Sequence, residues 1–148
     1  MSTFKRFEEI QAWQAARIIT KKIYSLSSCG MFAKDFGFKD QIRRSSVSIM
    51  SNIAEGFERD GNGEFVQFLS VAKASAGELR SQLYVALDAE YLSKDVFLEL
   101  FNEAEKASKM IGGLMKYLSG TEILGKKKDD KNARKKKPKT VIHSEPKI

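Results

Sequence analysis

The chain has 148 residues, 42% hydrophobic and 30% charged, which is one domain's worth of sequence with apolar mass enough for a core. Its net charge of +7 is confined to one end: residues 1–125 carry 16 Lys+Arg against 16 Asp+Glu, and residues 126–148 carry 10 against 3. A single cysteine, Cys29, excludes an intrachain disulfide. No apolar run reaches the ~18 residues of a membrane-spanning helix, and the opening MSTFKRFEEIQAW lacks the apolar core of a signal peptide, so a cytoplasmic protein with no membrane partner is expected.

Both prolines, Pro138 and Pro146, lie near the C-terminus, which leaves the preceding chain open to long helices. The first predicted helix runs from about Phe7 to Ser27, with Ala12, Ala16, Ile19, Ile23 and Leu26 on one face. Small residues and a glycine, Ser27 to Gly30, stop it. A connector follows, from Met31 to Phe38, whose Phe32, Phe36 and Phe38 are expected to tuck against the bundle end.

The second helix starts near Asp35–Lys39 and runs to about Arg59. Ile42, Ser46, Ile49, Ile53 and Phe57 form its inward row, and Val47, Met50 and Ala54 a second apolar row. Beside them lies an unbroken polar row: Gln41, Ser45, Ser48, Asn52, Glu55 and Arg59. Spacings alternating between four and three put these side chains on one stripe. Asp60-Gly61-Asn62-Gly63 then breaks the chain.

The third helix runs from about Glu64 to Glu90, with Phe65, Phe68, Ala72, Ala76, Leu79, Leu83 and Ala86 at helical spacing. Its middle, Ser70 to Gly77, is unusually small and predicts a close helix–helix approach. Ser75, Glu78 and Gln82 form a second polar row. Ser93 is placed to cap a fourth helix that runs to about Ser119, with Phe97, Leu100, Ala104, Ala107, Ile111, Leu114 and Leu118 in a heptad-like row. Four amphipathic helices with short connectors predict an all-α, antiparallel up-down-up-down four-helix bundle over residues 1–124. Residues 125–148 lose periodicity and are read as a disordered basic tail.

No residue set for catalysis emerges. The sole histidine, His143, lies in the tail and Cys29 at a helix end, far apart for a Cys–His pair. No Glu-x-x-His pattern or glycine-rich phosphate loop occurs, and carboxylates such as Glu55 and Glu78 without histidine make a poor transition-metal site. No metal, cofactor or enzymatic activity is expected. The polar rows, Gln41, Asn52, Glu55 and Arg59 with Ser75, Glu78 and Gln82, are read as a structural seam that aligns helices, against the plainer reading of a solvated face. Adjacent Arg43 and Arg44 diverge by about 100°, so one can pair with a carboxylate while the other reaches a phosphate. In the tail, Lys126, Lys127, Lys128, Lys131, Arg134, Lys135, Lys136, Lys137 and Lys139 form clusters of the kind that bind polyanions through counterion release, against the plainer reading of a solubilising tail.

Gln41-Ile42-Arg43-Arg44, Ser48-Ile49, Asn52 to Gly56, Arg59, Glu64-Phe65, Phe68-Leu69, Ala72, Ser75, Glu78-Leu79 and Gln82-Leu83, with Phe7, Trp13, Ala16 and Tyr24 before them, resemble the bacterial four-helix bundle proteins encoded in intervening sequences of 23S rRNA genes. The resemblance covers about residues 4–120. Ser45 and Ser46 depart from it where small apolar residues are usual, and Met50 where proline is frequent. It implies a ring-shaped homopentamer without enzymatic activity. It also implies kinship with the accessory variability determinant of diversity-generating retroelements, which binds nucleic acid and a reverse transcriptase. The expected function is therefore a non-enzymatic, oligomeric accessory protein that binds RNA or DNA, with a protein-interaction scaffold as the alternative.

Overall fold

The computed structural model describes residues 4–133, and side chains from residue 4 to residue 120. A 3-10 turn at Phe7–Glu9 leads into α1 (Gln11–Leu26), α2 (Gly30–Lys34), α3 (Phe36–Phe57), α4 (Asn62–Asp88) and α5 (Lys94–Ala133). The short α2 occupies the connector; the four long helices are the expected bundle. α4 packs along α3 on one side and α5 on the other, and α1 closes the bundle against α3 and α5. Each helix therefore neighbours the helices adjacent in sequence, and α1 lies diagonally across from α4, which is the up-down-up-down arrangement.

The anticipated rows supply the core. Ala12, Ala16, Ile19 and Ile23 of α1, Ile42, Ile49 and Ile53 of α3, Leu79 and Leu83 of α4, and Leu100, Ala107 and Ile111 of α5 are all buried. Differences arise where a row meets the rim. Val47 is exposed, and Phe36 is 73% exposed instead of tucked inward. Phe36 opens α3 directly after the N-cap Asp35, whose side chain accepts from the Phe38 backbone N–H. The bundle end is filled instead by Phe32, Phe38 and Tyr91, with Phe32 stacked 5.0 Å from Tyr91 and 5.7 Å from Phe38. The Phe36 ring is left beneath the Lys39 ammonium at 5.1 Å.

Local chemistry sets the helix ends. The breaker at Asp60–Gly63 works through Gly61, whose φ of 92° lies in the region that glycine alone enters freely. At the end of α4, Glu90 takes the left-handed conformation and the backbone N–H groups of Glu90 and Tyr91 return to the carbonyls of Leu87 and Ala86, a Schellman closure with glutamate where glycine is usual. Ser93 Oγ accepts from the Val96 N–H and caps α5. The backbone of α5 continues past Ser119, where the sequence pattern placed its end, because Gly112, Gly113 and Gly120 stay helical and the next proline is Pro138.

Ser45 and Ser46, buried on α3, return their hydroxyls to the carbonyls of Gln41 (3.1 Å) and Arg43 (2.9 Å), so burial leaves neither unpaired. Gly56 is the most closely packed of the described glycines. A Cβ there would lie 2.6 Å from Phe68 Cβ and 3.1 Å from Phe65 Cδ1. Gly→Ala in an open helix stabilises by about 1 kcal/mol. Gly56→Ala is expected instead to destabilise by about 1–3 kcal/mol through overpacking, read as a lowered thermal midpoint.

Two polar clips join elements across the bundle. Lys22 Nζ donates to Glu99 (2.7 Å) and to Glu103, and these two carboxylates, Glu103 foremost, hold the ammonium above the usual lysine range. The Tyr91 hydroxyl donates to Asp35 Oδ2 at 2.7 Å, which holds it above the usual tyrosine range. Both groups bind their proton more tightly in the folded state. Their contribution is complete below the unfolded values near pH 10 and is lost as pH rises through the raised folded values. Urea unfolding should therefore show stability falling as pH rises above about 10, with a shallower fall in Lys22→Gln and in Tyr91→Phe.

Candidate nucleic-acid interface and polar seam

The polar rows of α3 and α4 meet at their centre and separate at their ends. Ser48 and Ser75 share a hydrogen bond, Oγ to Oγ, at 2.8 Å. Asn52 Nδ2 donates to the Ser48 carbonyl at 2.8 Å and to Ser48 Oγ at 3.0 Å. Ser75 is buried, Ser48 and Asn52 half-buried. Toward the other end of α4, Gln82 is buried and its Nε2 donates to Glu78 Oε1 at 3.3 Å, while Gln82 Oε1 is enclosed without a partner. Gln41, Glu55, Arg59 and Glu78 are exposed. Arg59 Nη2 donates to Glu55 Oε1 at 3.4 Å along α3, and its guanidinium lies 5.2 Å from the Phe68 ring centroid. The structure thus brings Ser48, Asn52 and Ser75 into one cluster, and leaves Glu55 and Arg59 as an exposed pair beside it.

The two arginines of α3 part company, as their angular separation requires. Arg43 turns toward α1: its Nε donates to Ser27 Oγ (2.8 Å), its Nη2 to Ser28 Oγ (3.0 Å) and the Tyr24 carbonyl (3.4 Å), and its guanidinium stacks 4.5 Å from the Tyr24 ring centroid. These bonds satisfy groups at the C-terminus of α1, where a cation is also favoured by the helix dipole. Arg44 faces solvent, 79% exposed, with Nε 2.8 Å from Asp40 Oδ2, a pairing weak enough in water to be exchanged. The tail residues Lys126, Lys127, Lys128, Lys131, Arg134, Lys135, Lys136, Lys137 and Lys139 lie outside the described side chains.

Among the described residues no group of His, Cys, Asp and Glu could hold a metal ion, and no helix is long and apolar enough to cross a membrane. Cys29 is exposed and borders a depression shared with Met31, Phe32, Glu90 and Tyr91. Several structural contacts had no signal in the periodicity, among them the Arg43–Ser27 bond and the Lys22 clip. Each joins residues far apart in the chain, and only the bundle register brings them together.

The class defined is an all-α bundle of four long helices with a polar cluster between α3 and α4. A model of the 23S rRNA-intervening sequence protein family matches residues 8–113, and the chain belongs to that family. The fold is also similar to a crystal structure, from Bacteroides thetaiotaomicron VPI-5482, of a protein of unknown function in the S23 ribosomal protein family. The TM-score is 0.66 and the identity 22%, over 71% of this chain and 95% of that one. A search of curated proteins returns no match.

The inner and outer members of the polar row should differ in energy. Asn52→Ala removes a donor from a shared cluster and is expected to cost about 1–2 kcal/mol. Glu55→Ala breaks an exposed pair and should stay within about 0.5 kcal/mol of the parent. Denaturant unfolding of the two variants checks the contrast.

Proposed function

We propose that this chain is a non-enzymatic, homo-oligomeric accessory protein that binds structured RNA, or an RNA–protein complex of the reverse-transcriptase type, through phosphate electrostatics and without a cofactor. One observation carries the reading: all of the +7 charge falls on residues 126–148, beside a body whose charges cancel. Such segregation concentrates counterion release in one segment. Assembly into a ring, as the family resemblance implies, would place several basic segments on one particle and raise their combined affinity through effective concentration. The family's description, which names 23S rRNA intervening sequences, accords with an RNA setting.

The test is a titration of labelled hairpin RNA with the full chain and with a full-length variant in which Lys126, Lys127, Lys128, Arg134, Lys135, Lys136 and Lys137 are glutamine. The parent should bind with a steep salt dependence, and the variant should bind more than about 10-fold more weakly with a shallower slope. Light scattering on the same samples should give a mass above the 16.7 kDa of one chain. Equal affinity of parent and variant would remove the tail from the mechanism. Salt-resistant binding to a protein partner, with none to RNA, would favour the scaffold reading.

A further inference from the structure

We infer that the groove between α4 and α5 is a binding track for a single strand of nucleic acid, and that it, rather than Arg43, is the part of the folded body that engages the RNA. The inference rests on the RNA-binding reading above and locates a site for it.

Two contacts fix the register of the groove. Lys73 Cε lies 3.4 Å from where a Cβ on Gly112 would stand, and the Tyr84 ring lies 5.5 Å from Phe101. Because the helices are antiparallel, Gly77 then falls level with Ser108, and Arg80 with Glu105. Lys73, Gly77, Arg80 and Tyr84 occupy one stripe of α4, and Glu105, Lys109, Gly112 and Lys116 one stripe of α5. Lys73 lies against the Gly112 position and Arg80 against Gly77, so the two glycines make room for cationic side chains along the α4–α5 seam.

The cations of this groove are poorly neutralised. Lys73 and Lys116 have no ion pair among the described residues, and Lys109 reaches Glu105 only at 3.7 Å with 78% of its side chain exposed. Arg80 folds back over Gly77, 3.6 Å from where a Cβ would stand, and its Nε is buried without a hydrogen-bond partner. Arg80 makes no ion pair among the described residues, and a guanidinium fork matches phosphate oxygens. Glu105, and Asp88 one turn beyond Tyr84, are the carboxylates on these two stripes.

An aromatic surface lies at the end of the track. Tyr84 is 51% exposed and is braced by Phe97 at 4.9 Å and Phe101 at 5.5 Å. It sits one turn beyond Arg80. An exposed ring held rigid beside a row of cations is the combination that binds single strands, with phosphates on the cations and a base on the ring. A phosphodiester strand uses cations and ring together, phosphates on the one and a base on the other; an acidic protein would need only the cations.

The experiment is fluorescence anisotropy with a fluorescein-labelled 20-nucleotide oligo(U) RNA and the full chain. Lys73→Gln with Arg80→Gln should weaken binding by about 10-fold or more and reduce the slope of log K against log salt by about 1.4, at about 0.7 per single-strand phosphate contact. Tyr84→Ala should weaken binding several-fold and Tyr84→Phe should restore it. Since Tyr84→Ala also loosens packing against Phe97, the lysine and arginine changes decide the matter if it fails to fold. Glu105→Gln should strengthen binding. Tight binding by the parent with unchanged affinity and slope in the Lys73/Arg80 variant would overturn the groove while leaving the RNA-binding reading intact. No binding by the parent to this oligonucleotide or to hairpin RNA would overturn both.

Discussion

The close approach of α3 and α4 is the constraint on which the rest of the bundle depends. At Gly56 the two backbones come near enough that a methyl group would stand 2.6 Å from Phe68 Cβ. Farther along, Ser48 and Ser75 meet oxygen to oxygen at 2.8 Å. Small residues at both points let the helices approach closely, with Ile49 and Ile53 fully buried, and close packing is unforgiving of added volume. With α3 and α4 locked at this spacing, α5 can lie along the other side of α4, and α1 closes the square through Thr20, whose hydroxyl bonds to the Ser46 carbonyl at 3.2 Å.

Polar groups in this fold are graded by position. At the α3–α4 junction they are short-range, paired and partly buried; one helix turn outward the same row becomes the solvated Glu55–Arg59 pair. The hydroxyls of Ser45 and Ser46 return to the backbone of their own helix, so their burial costs little. Longer polar side chains act at the bundle's edges. Lys22 ties α1 to α5, Arg43 closes the end of α1, and Tyr91 joins the α4–α5 turn to the start of α3 through Asp35. Side chains at these edges keep part of their surface in water, where their charges are tolerated.

Family membership accounts for the fold more fully than for the activity, because a four-helix bundle can carry many functions. The feature of this chain that bears on activity is its distribution of charge. Its long helices form a body with no net charge over residues 1–125, yet within that body the cations of the α4–α5 groove go largely unanswered by carboxylates. Local imbalance of this kind directs a polyanion to one face even when the sum is zero. Arg43 illustrates the converse: a residue whose type fits phosphate recognition is committed to closing a helix end and stacking on Tyr24.

Much of the architecture was legible in the sequence because a helix announces itself by repetition. The core rows of α1, α3, α4 and α5, the breaker at Gly61 and the cap at Ser93 follow from spacing and local backbone chemistry, which involve residues near one another in the chain. The segregation of charge into the last residues was equally plain. The tertiary structure alone decided which members of a polar row meet a partner, since Ser48 and Glu55 share a stripe but Ser48 meets Ser75 of α4 while Glu55 pairs with Arg59 on its own helix. It likewise decided that Phe36 faces water, that Arg43 turns inward while Arg44 does not, and that Lys73, Arg80 and Tyr84 line up beside the stripe of Lys109 and Lys116. Periodicity reports the angle of a side chain around its own helix. Whether a neighbour stands at that angle depends on the register and crossing of two helices, which packing fixes and no single helix encodes.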